Sequence, residues 1–330
     1  MKIKKLEFKG HKVLGDLNVD LTDESGAPLD VVVFIGDNGT GKTEMLKSIV
    51  DTIGYTASEN PFSSAAIDRS QKSVRLLKNS TRLTVEELNL NDKAECLSFH
   101  KFDQKLVFWF PAELNIKKHK MESNPQPLEL IEFADKWILD DLNDYIIGEA
   151  NKAIYRDLSK AEESFYEESK KVNDIFKDLE LDIKLDHLSG ETGLPVFRSK
   201  AGKDVELKGL SSGEKQLFFR LLNLKRLNVN NAIIIVDEPE TSLHPEWQRK
   251  IIKIYESIGE NNQIIMATHS PLILGSVKTE GVRKLIRNDE GKIELELVDQ
   301  TYGKSVEKAR RRFVIMLKRT HSTQHCSSIQ

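Results

Sequence analysis

Apolar positions change their spacing along the chain, and the changes mark its elements. Two pieces near the start, KIKKLEFKG and LGDLNVDLT, have the short alternating look of strands. A third, VVVFIG, is continuously apolar, the pattern of a strand buried on both faces. After Gly36 the spacing turns helical: Met45, Leu46, Ile49, Val50 and Ile53 share one stripe, which Gly54 is expected to close. A strand, a glycine loop and a helix are thus predicted in succession.

Residues 55–80 are polar and rich in Ser and Asn, and read as loop with room for one short helix. From Thr81 to Glu113 the pieces RLTVEEL, ECLSFHKF and KLVFWFPAE read as strands, the last ended by Pro111. Between Leu128 and Leu179, apolar residues such as Ile131, Ala134, Ile138, Leu142, Ile146, Ala150, Phe165, Val172 and Phe176 recur mostly three or four apart, which predicts a helical region. One straight helix of that length would span roughly 75 Å. Gly148 and the Asn143-Asp144 pair favour two packed helices instead.

A strand-turn pattern follows from Leu181 to Leu207, with turn chemistry in LSGETG and SKAGKD. The closing stretch alternates: strand AIIIVDEPE, helix PEWQRKIIKIYESI, strand QIIMATHSP, then a hairpin, VRKLIRNDEGKIELELVD, turning at Asn288 to Gly291. Strands alternating with helical crossovers imply an α/β fold whose parallel sheet is covered on both faces.

Composition narrows the picture. The 330 residues suit one large domain or two modest ones. Lys and Arg total 49 against 52 Asp and Glu, a net charge of -3, so any contact with nucleic acid would be a local patch. No apolar run approaches the 18 or so residues of a membrane span, and the basic start MKIKK has no apolar core behind it, so neither a membrane segment nor a signal peptide is expected. Two cysteines, Cys96 and Cys326, cannot make a disulfide framework or a closed zinc site, and a reducing cytoplasm is the expected compartment.

The candidate chemistry begins at Gly36-Asp37-Asn38-Gly39-Thr40-Gly41-Lys42-Thr43, which fits GxxxxGK[ST]. In such a loop, backbone N–H groups and a helix N-terminus surround phosphate oxygens, and glycine lets the backbone come close. Lys42 would supply a point charge to the β and γ phosphates, and the Thr43 hydroxyl would ligate Mg²⁺. Asp237 and Glu238 follow the apolar run Ile233 to Val236, at the strand end where α/β sheets bind ligands. Asp237 is expected to hold Mg²⁺, and Glu238 to orient or deprotonate the attacking water. Leu210-Ser211-Ser212-Gly213-Glu214-Lys215-Gln216 precedes a helix and could receive an anion, while Ser211 and Glu214 also fit a capping box. His269, in IIMATHS, falls at the same sheet edge as Asp237 and Glu238.

The ordered set GDNGTGKT, LSSGEKQ, IIIVDEPETSLHP and ATHSP resembles the ATPase heads of the ABC class, particularly the soluble SMC-like and RecF-like branch. The resemblance implies a P-loop NTPase head with a mixed central sheet, an N-terminal antiparallel β subdomain and a helical lobe inserted between Walker A and the signature. The head would cover residues 1–320: an N-terminal β and Walker A lobe over 1–115, the helical insert and strand-turn segment over 116–208, and the signature, Walker B and switch histidine over 209–305. Residues 321–330 would be a polar tail. By that likeness Glu238 is the catalytic base, His269 the γ-phosphate sensor, and Thr43 and Asp237 the metal ligands. Ser211, Ser212, Gly213 and Glu214 form the signature, acting in trans on ATP held by a second copy. A head-to-tail homodimer around two Mg-ATP is implied. Neither Gln71 nor Gln104 is assigned as the Q-loop glutamine.

Only 195 positions separate Lys42 from Asp237, too few for a long coiled coil, and 61 residues follow His269, fewer than a nuclease domain is expected to need. The compact head, PETSLHP, ATHSP and the TYGKS segment look like the stand-alone bacterial ATPases encoded beside a nuclease, such as the Septu-type and retron-associated antiphage ATPases. A role regulating a partner effector is the leading expectation, and a DNA-clamping repair ATPase is the alternative. Six of the twelve residues from Lys308 to Arg319 are basic and could meet phosphates, though an exposed or partner-facing helix is the expected use. His321, His325 and Cys326 are assigned no metal.

Overall fold

A computed structural model describes residues 2–58, 65–68, 73–78, 80–86, 107–110, 130–132, 147, 169–170, 172–174, 176–177, 183–199, 201–205, 212–226, 229–241, 243–296 and 298. At its centre lies a seven-stranded sheet. It is built from β3 (Val31–Ile35), β7 (Val107–Phe110), β8 (Leu130–Glu132), β12 (Ile233–Asp237), β13 (Gln263–Thr268), β14 (Val282–Arg287) and β15 (Ile293–Glu296), in the spatial order β15-β14-β3-β13-β12-β7-β8. All neighbours are parallel except β14 and β15, which form the expected hairpin, so the sheet is mixed.

The alternation of side chains explains why the central strands are apolar throughout. Val33, Ile35, Phe108, Phe110, Ile234, Val236, Ile264 and Met266 belong to one core, with residues of α2 (Ser212–Arg226) and α3 (Pro245–Glu256). Val32, Phe34, Val107, Trp109, Ile233, Ile235, Ile265 and Ala267 belong to the other, with α1 (Lys42–Ser58) and an N-terminal sheet. Consecutive residues point to opposite faces, and here both faces are covered. Each large aliphatic side chain so buried contributes about 1.5–3 kcal/mol relative to exposure.

The N-terminal sheet is antiparallel, ordered β2-β1-β6-β5-β4, from β1 (Ile3–His11), β2 (Gly15–Asp20), β4 (Ala65–Asp68), β5 (Ser73–Lys78) and β6 (Thr81–Glu86). The buried amide of Gln263 ties it to the central sheet: it accepts from Ile3 N at 2.7 Å and donates to Ile3 O and Leu29 O, each at 2.9 Å. Every polar atom of this buried side chain is thereby satisfied. A small antiparallel sheet of β9 (Ile183–Leu188), β10 (Pro195–Ser199) and β11 (Asp204–Val205) fills the predicted strand-turn segment. Phe176 stacks on Phe218 of α2 at 4.2 Å and meets Phe197 of β10 edge-on at 5.6 Å, joining that sheet to the core.

Three sequence expectations need correction. Residues 55–80 contain β4 and β5, two strands whose partners are each other and β6, so pairing across the sheet decides what the polar local pattern hid. Helix α1 passes Gly54 and ends at Ser58; one interior glycine costs about 1 kcal/mol against alanine, less than the burial of Ile49, Val50 and Ile53 contributes. The predicted helical region does not start at Leu128, because Leu130–Glu132 pairs in parallel with Val107–Trp109 as the sheet's edge. Within the rest of that region, 147, 169–170, 172–174 and 176–177 are helical. The remainder of the region expected to be a helical insert, ECLSFHKF, Gln71, Gln104, the basic stretch 308–319 and the tail 321–330 lie outside the described residues.

Candidate functional site

Three neighbouring parallel strands bring the candidate residues together. Ile35, the last residue of β3, pairs with Thr268, the last of β13, and Asp237, the last of β12, pairs with Ala267. The glycine loop, Asp237 and Glu238, and His269 therefore leave the sheet at one edge. Residues far apart in sequence meet there because β13 lies between β3 and β12.

The loop is shaped by close approaches that only glycine allows. A Cβ on Gly36 would collide with the carbonyl oxygen of Leu285 on β14. Gly41 has φ +86°, and a Cβ there would lie 2.6 Å from Leu14 Cδ2. Thr40 closes the turn, donating from its hydroxyl to Asp37 O at 2.8 Å. Lys42 is buried, and its ammonium donates to the loop's own carbonyls, Gly36 O at 2.9 Å and Asp37 O at 3.0 Å. Burial pulls Lys42 down to about 8, against the opposing charges of Glu238, Asp237, Asp37 and Glu240.

Asp237 is 1% exposed, and among the described residues neither carboxylate oxygen has a hydrogen-bond partner at full geometry. Burial raises its pKa. The Thr43 hydroxyl and the Lys42 and Lys47 charges favour its ionised form without satisfying either oxygen at full hydrogen-bond geometry. An orphaned buried carboxylate facing a threonine hydroxyl has the oxygen chemistry that suits Mg²⁺, which binds one or two carboxylates plus substrate phosphates and water. These two oxygen donors fit magnesium, which Thr43 and Asp237 could hold. Among the described residues no group of three or more His, Cys, Asp or Glu forms a dedicated metal cage.

Glu238 has φ +43°, a region that non-glycine residues seldom occupy, and its N–H donates to Ala267 O at 2.8 Å. Such a conformation costs roughly 1–3 kcal/mol and persists only where its surroundings hold it. The turn that follows is closed by Thr241 N to Glu238 O and Leu243 N to Glu240 O. Glu238 Oε1 lies 3.5 Å from His269 Nε2. Burial and the Lys42 charge lower the histidine pKa, opposed by Glu238 and Asp37, so its neutral form is favoured near pH 7.

Gly36 to Thr43, Asp237, Glu238 and His269 are therefore gathered as the sequence predicts. Gly213 is buried in the first turn of α2. Ser211 and the side chains of Ser212 and Glu214 lie outside the described residues, so the capping box and the signature contacts do too. Two residues beside the site went unassigned in the sequence, Glu240 and Gln248. Glu240 Oε1 accepts the backbone N–H of His269 at 2.6 Å, and Gln248 joins Ser270 to Leu243. Glu240 stands in the quoted PETSLHP, yet an acid beyond a strand end reads as solvated until the turn is seen to fold inward.

The chain is similar to bacterial proteins linked to named systems. It is 27% identical over 209 residues to the Retron Vc95 probable ATPase of Vibrio cholerae serotype O1 biovar El Tor, covering 59% of this chain and 38% of that protein. It is 22% identical over 303 residues to the Septu protein PtuA of Bacillus mycoides strain KBAB4, covering 87% of this chain and 41% of that one. The chain thus spans well under half the length of these two relatives. Among solved structures, the Smc head bound to the C-winged helix domain of ScpA aligns with TM-score 0.47 and 14% identity, covering 94% of this chain and 100% of that one. Among the described residues no helix is long and apolar enough to cross a membrane. Residues 31–275, from β3 through α4 (Pro271–Leu274), match one family profile, and the chain belongs to that family, described as "AAA domain, putative AbiEii toxin, Type IV TA system".

Proposed function

We propose that this chain binds Mg-ATP at the β3, β12 and β13 edge and hydrolyses it to ADP and phosphate. The observation that carries the reading is the fully buried, unpartnered Asp237 carboxylate, set with the Thr43 hydroxyl and Lys42 beside a glycine loop. Nothing in packing alone rewards an ionisable group placed there, whereas a cation and a triphosphate would. Thr43 and Asp237 would hold the ion, and magnesium, when bound, neutralises charge on the β and γ phosphates.

Lys42 would exchange its two loop carbonyls for phosphate oxygens. The backbone N–H groups of the loop and of the start of α1 would hold the remaining phosphate charge. Glu238, partly exposed at the mouth of the site, would accept a proton from the attacking water. His269, beside Glu238, would donate a hydrogen bond to the γ phosphate and complete the wall opposite Lys42.

The active form, in this proposal, is a head-to-tail pair of chains in which Ser211, Ser212, Gly213 and Glu214 of each copy close over ATP held by the other. Similarity to a retron ATPase and to a Septu protein supports a place in bacterial antiphage defence, with ATP-driven pairing controlling a separate effector such as a nuclease, in the cytoplasm. Steady-state turnover and ATP binding of Glu238→Gln test the hydrolytic part. Turnover should fall by at least about a hundredfold, the scale of a lost general base, with affinity kept within about twofold. Unchanged turnover would remove Glu238 as the base.

A further inference from the structure

We infer that Glu240 is a positioning residue: its carboxylate fixes the backbone of His269, and so holds the imidazole against Glu238. The inference rests on the hydrolytic reading of this site and adds to it the group that aligns the two reacting side chains.

The turn after β12 is tied at three points to the end of β13 and the segment beyond it. Glu238 N donates to Ala267 O at 2.8 Å. Glu240 Oε1 accepts from His269 N at 2.6 Å. Ser270 Oγ donates to Gln248 Oε1 at 2.7 Å, and Gln248 Nε2 donates to Leu243 O at 2.9 Å, so a side chain of α3 grips both segments. The middle tie lies at the base of the histidine itself. A bond from a carboxylate to a backbone N–H is short and about twice as strong as a neutral one, and it holds the stretch of main chain from which the His269 side chain reaches Glu238.

The carboxylate of Glu240 is not a second base. Among the described residues Oε2 is buried with no hydrogen-bond partner at full geometry, and Oε1 is taken by the backbone. Burial works against its charge, and the neighbouring Thr268 hydroxyl and the His269 N–H support it. The fold thus keeps a buried acid where its contact with a backbone N–H orients His269. A glutamine could make the same contact through its amide oxygen, and an alanine could not.

The experiment compares Glu240→Ala, Glu240→Gln and Gln248→Ala in the full chain. It measures kcat, ATP affinity and hydrogen exchange at the His269 amide. The expected result for Glu240→Ala is a fall in kcat of roughly ten- to hundredfold, the scale of an ångström-sized misplacement, with ATP affinity within about twofold and faster exchange at His269. Glu240→Gln should keep kcat within about threefold and keep the amide protected. Gln248→Ala, which leaves the Glu240 bond intact, should give a smaller loss of kcat; if Glu240→Ala does not fold, Glu240→Gln decides, because lost kcat or faster exchange at His269 in it overturns the inference. Equal loss in the alanine and glutamine variants, a parallel loss of ATP affinity, or full kcat in Glu240→Ala would overturn the inference. Should wild type itself not hydrolyse ATP, the hydrolytic reading fails; exchange at His269 then decides, with no acceleration in Glu240→Ala overturning the clamp as well.

Discussion

The Arg287 guanidinium donates to the carbonyl oxygen of Gly39 at 2.8 Å, across 248 positions of sequence. A second nitrogen holds Gly291 O at 2.8 Å, so the β14–β15 hairpin grips the glycine loop. The same strand supplies Leu285 O, which presses on Gly36. A bond of this kind is worth about 1 kcal/mol. Arg287→Ala should therefore weaken ATP binding roughly fivefold, with little effect on kcat at saturation. Unchanged affinity in a titration would mean that the hairpin does not brace the loop.

Gly36 and Gly41 should differ in how badly they tolerate a methyl group. At Gly36 the obstacle is the backbone of β14, which cannot turn aside, whereas at Gly41 it is the far end of Leu14. Gly41→Ala then bears the strain of its positive φ, about 1–2 kcal/mol, and some repacking of Leu14. Gly36→Ala should show the lower melting temperature of the two and the weaker ATP binding. Equal melting temperatures would contradict the close approach of β14.

ATP affinity should depend on pH above neutrality. In the nucleotide-free chain Lys42 titrates at about 8, and the triphosphate would raise that value. At pH 7 the lysine is already charged, so binding takes up no proton there. Above pH 8 it must gain one, and affinity should fall by up to about tenfold per pH unit. Calorimetry in buffers of different ionisation enthalpy should show proton uptake at pH 8.5. A flat affinity to pH 9 would place Lys42 in a more hydrated setting.

Asp237→Asn should separate stability from function. The Asp237 pKa is raised in the folded chain, so the fold binds a proton more readily there than the unfolded chain, and the ionised group weakens folding above that range. Removing the charge should raise the melting temperature without nucleotide, by about 1–2 °C if about 1 kcal/mol is relieved. It should also abolish the extra stabilisation that Mg-ATP gives wild type over ATP with chelator. A variant that melts lower and still responds to magnesium would deny Asp237 its metal-binding part.

Much of this site is legible in the sequence because its signals are local. VVVFI, GDNGTGKT and the stripe through Met45, Ile49 and Ile53 specify strand, loop and helix within one short stretch. Asp237 and Glu238 end an apolar run, which places them at a strand terminus without knowledge of the neighbours. What escaped depends on partners distant in sequence. β4 and β5 are strands through pairing, and Leu130–Glu132 is extended because β7 offers an edge. Glu240 matters through the N–H of His269 and Arg287 through Gly39, and no local pattern announces either contact.

The most direct test of the central claim is the mass of Glu238→Gln in solution, by sedimentation with and without saturating Mg-ATP. Pairing through two composite sites predicts a single-copy species without nucleotide and a two-copy species with it. That shift should disappear when Lys42→Ala is added. A hydrolysis-blocked chain that binds ATP yet remains a single copy would contradict the account.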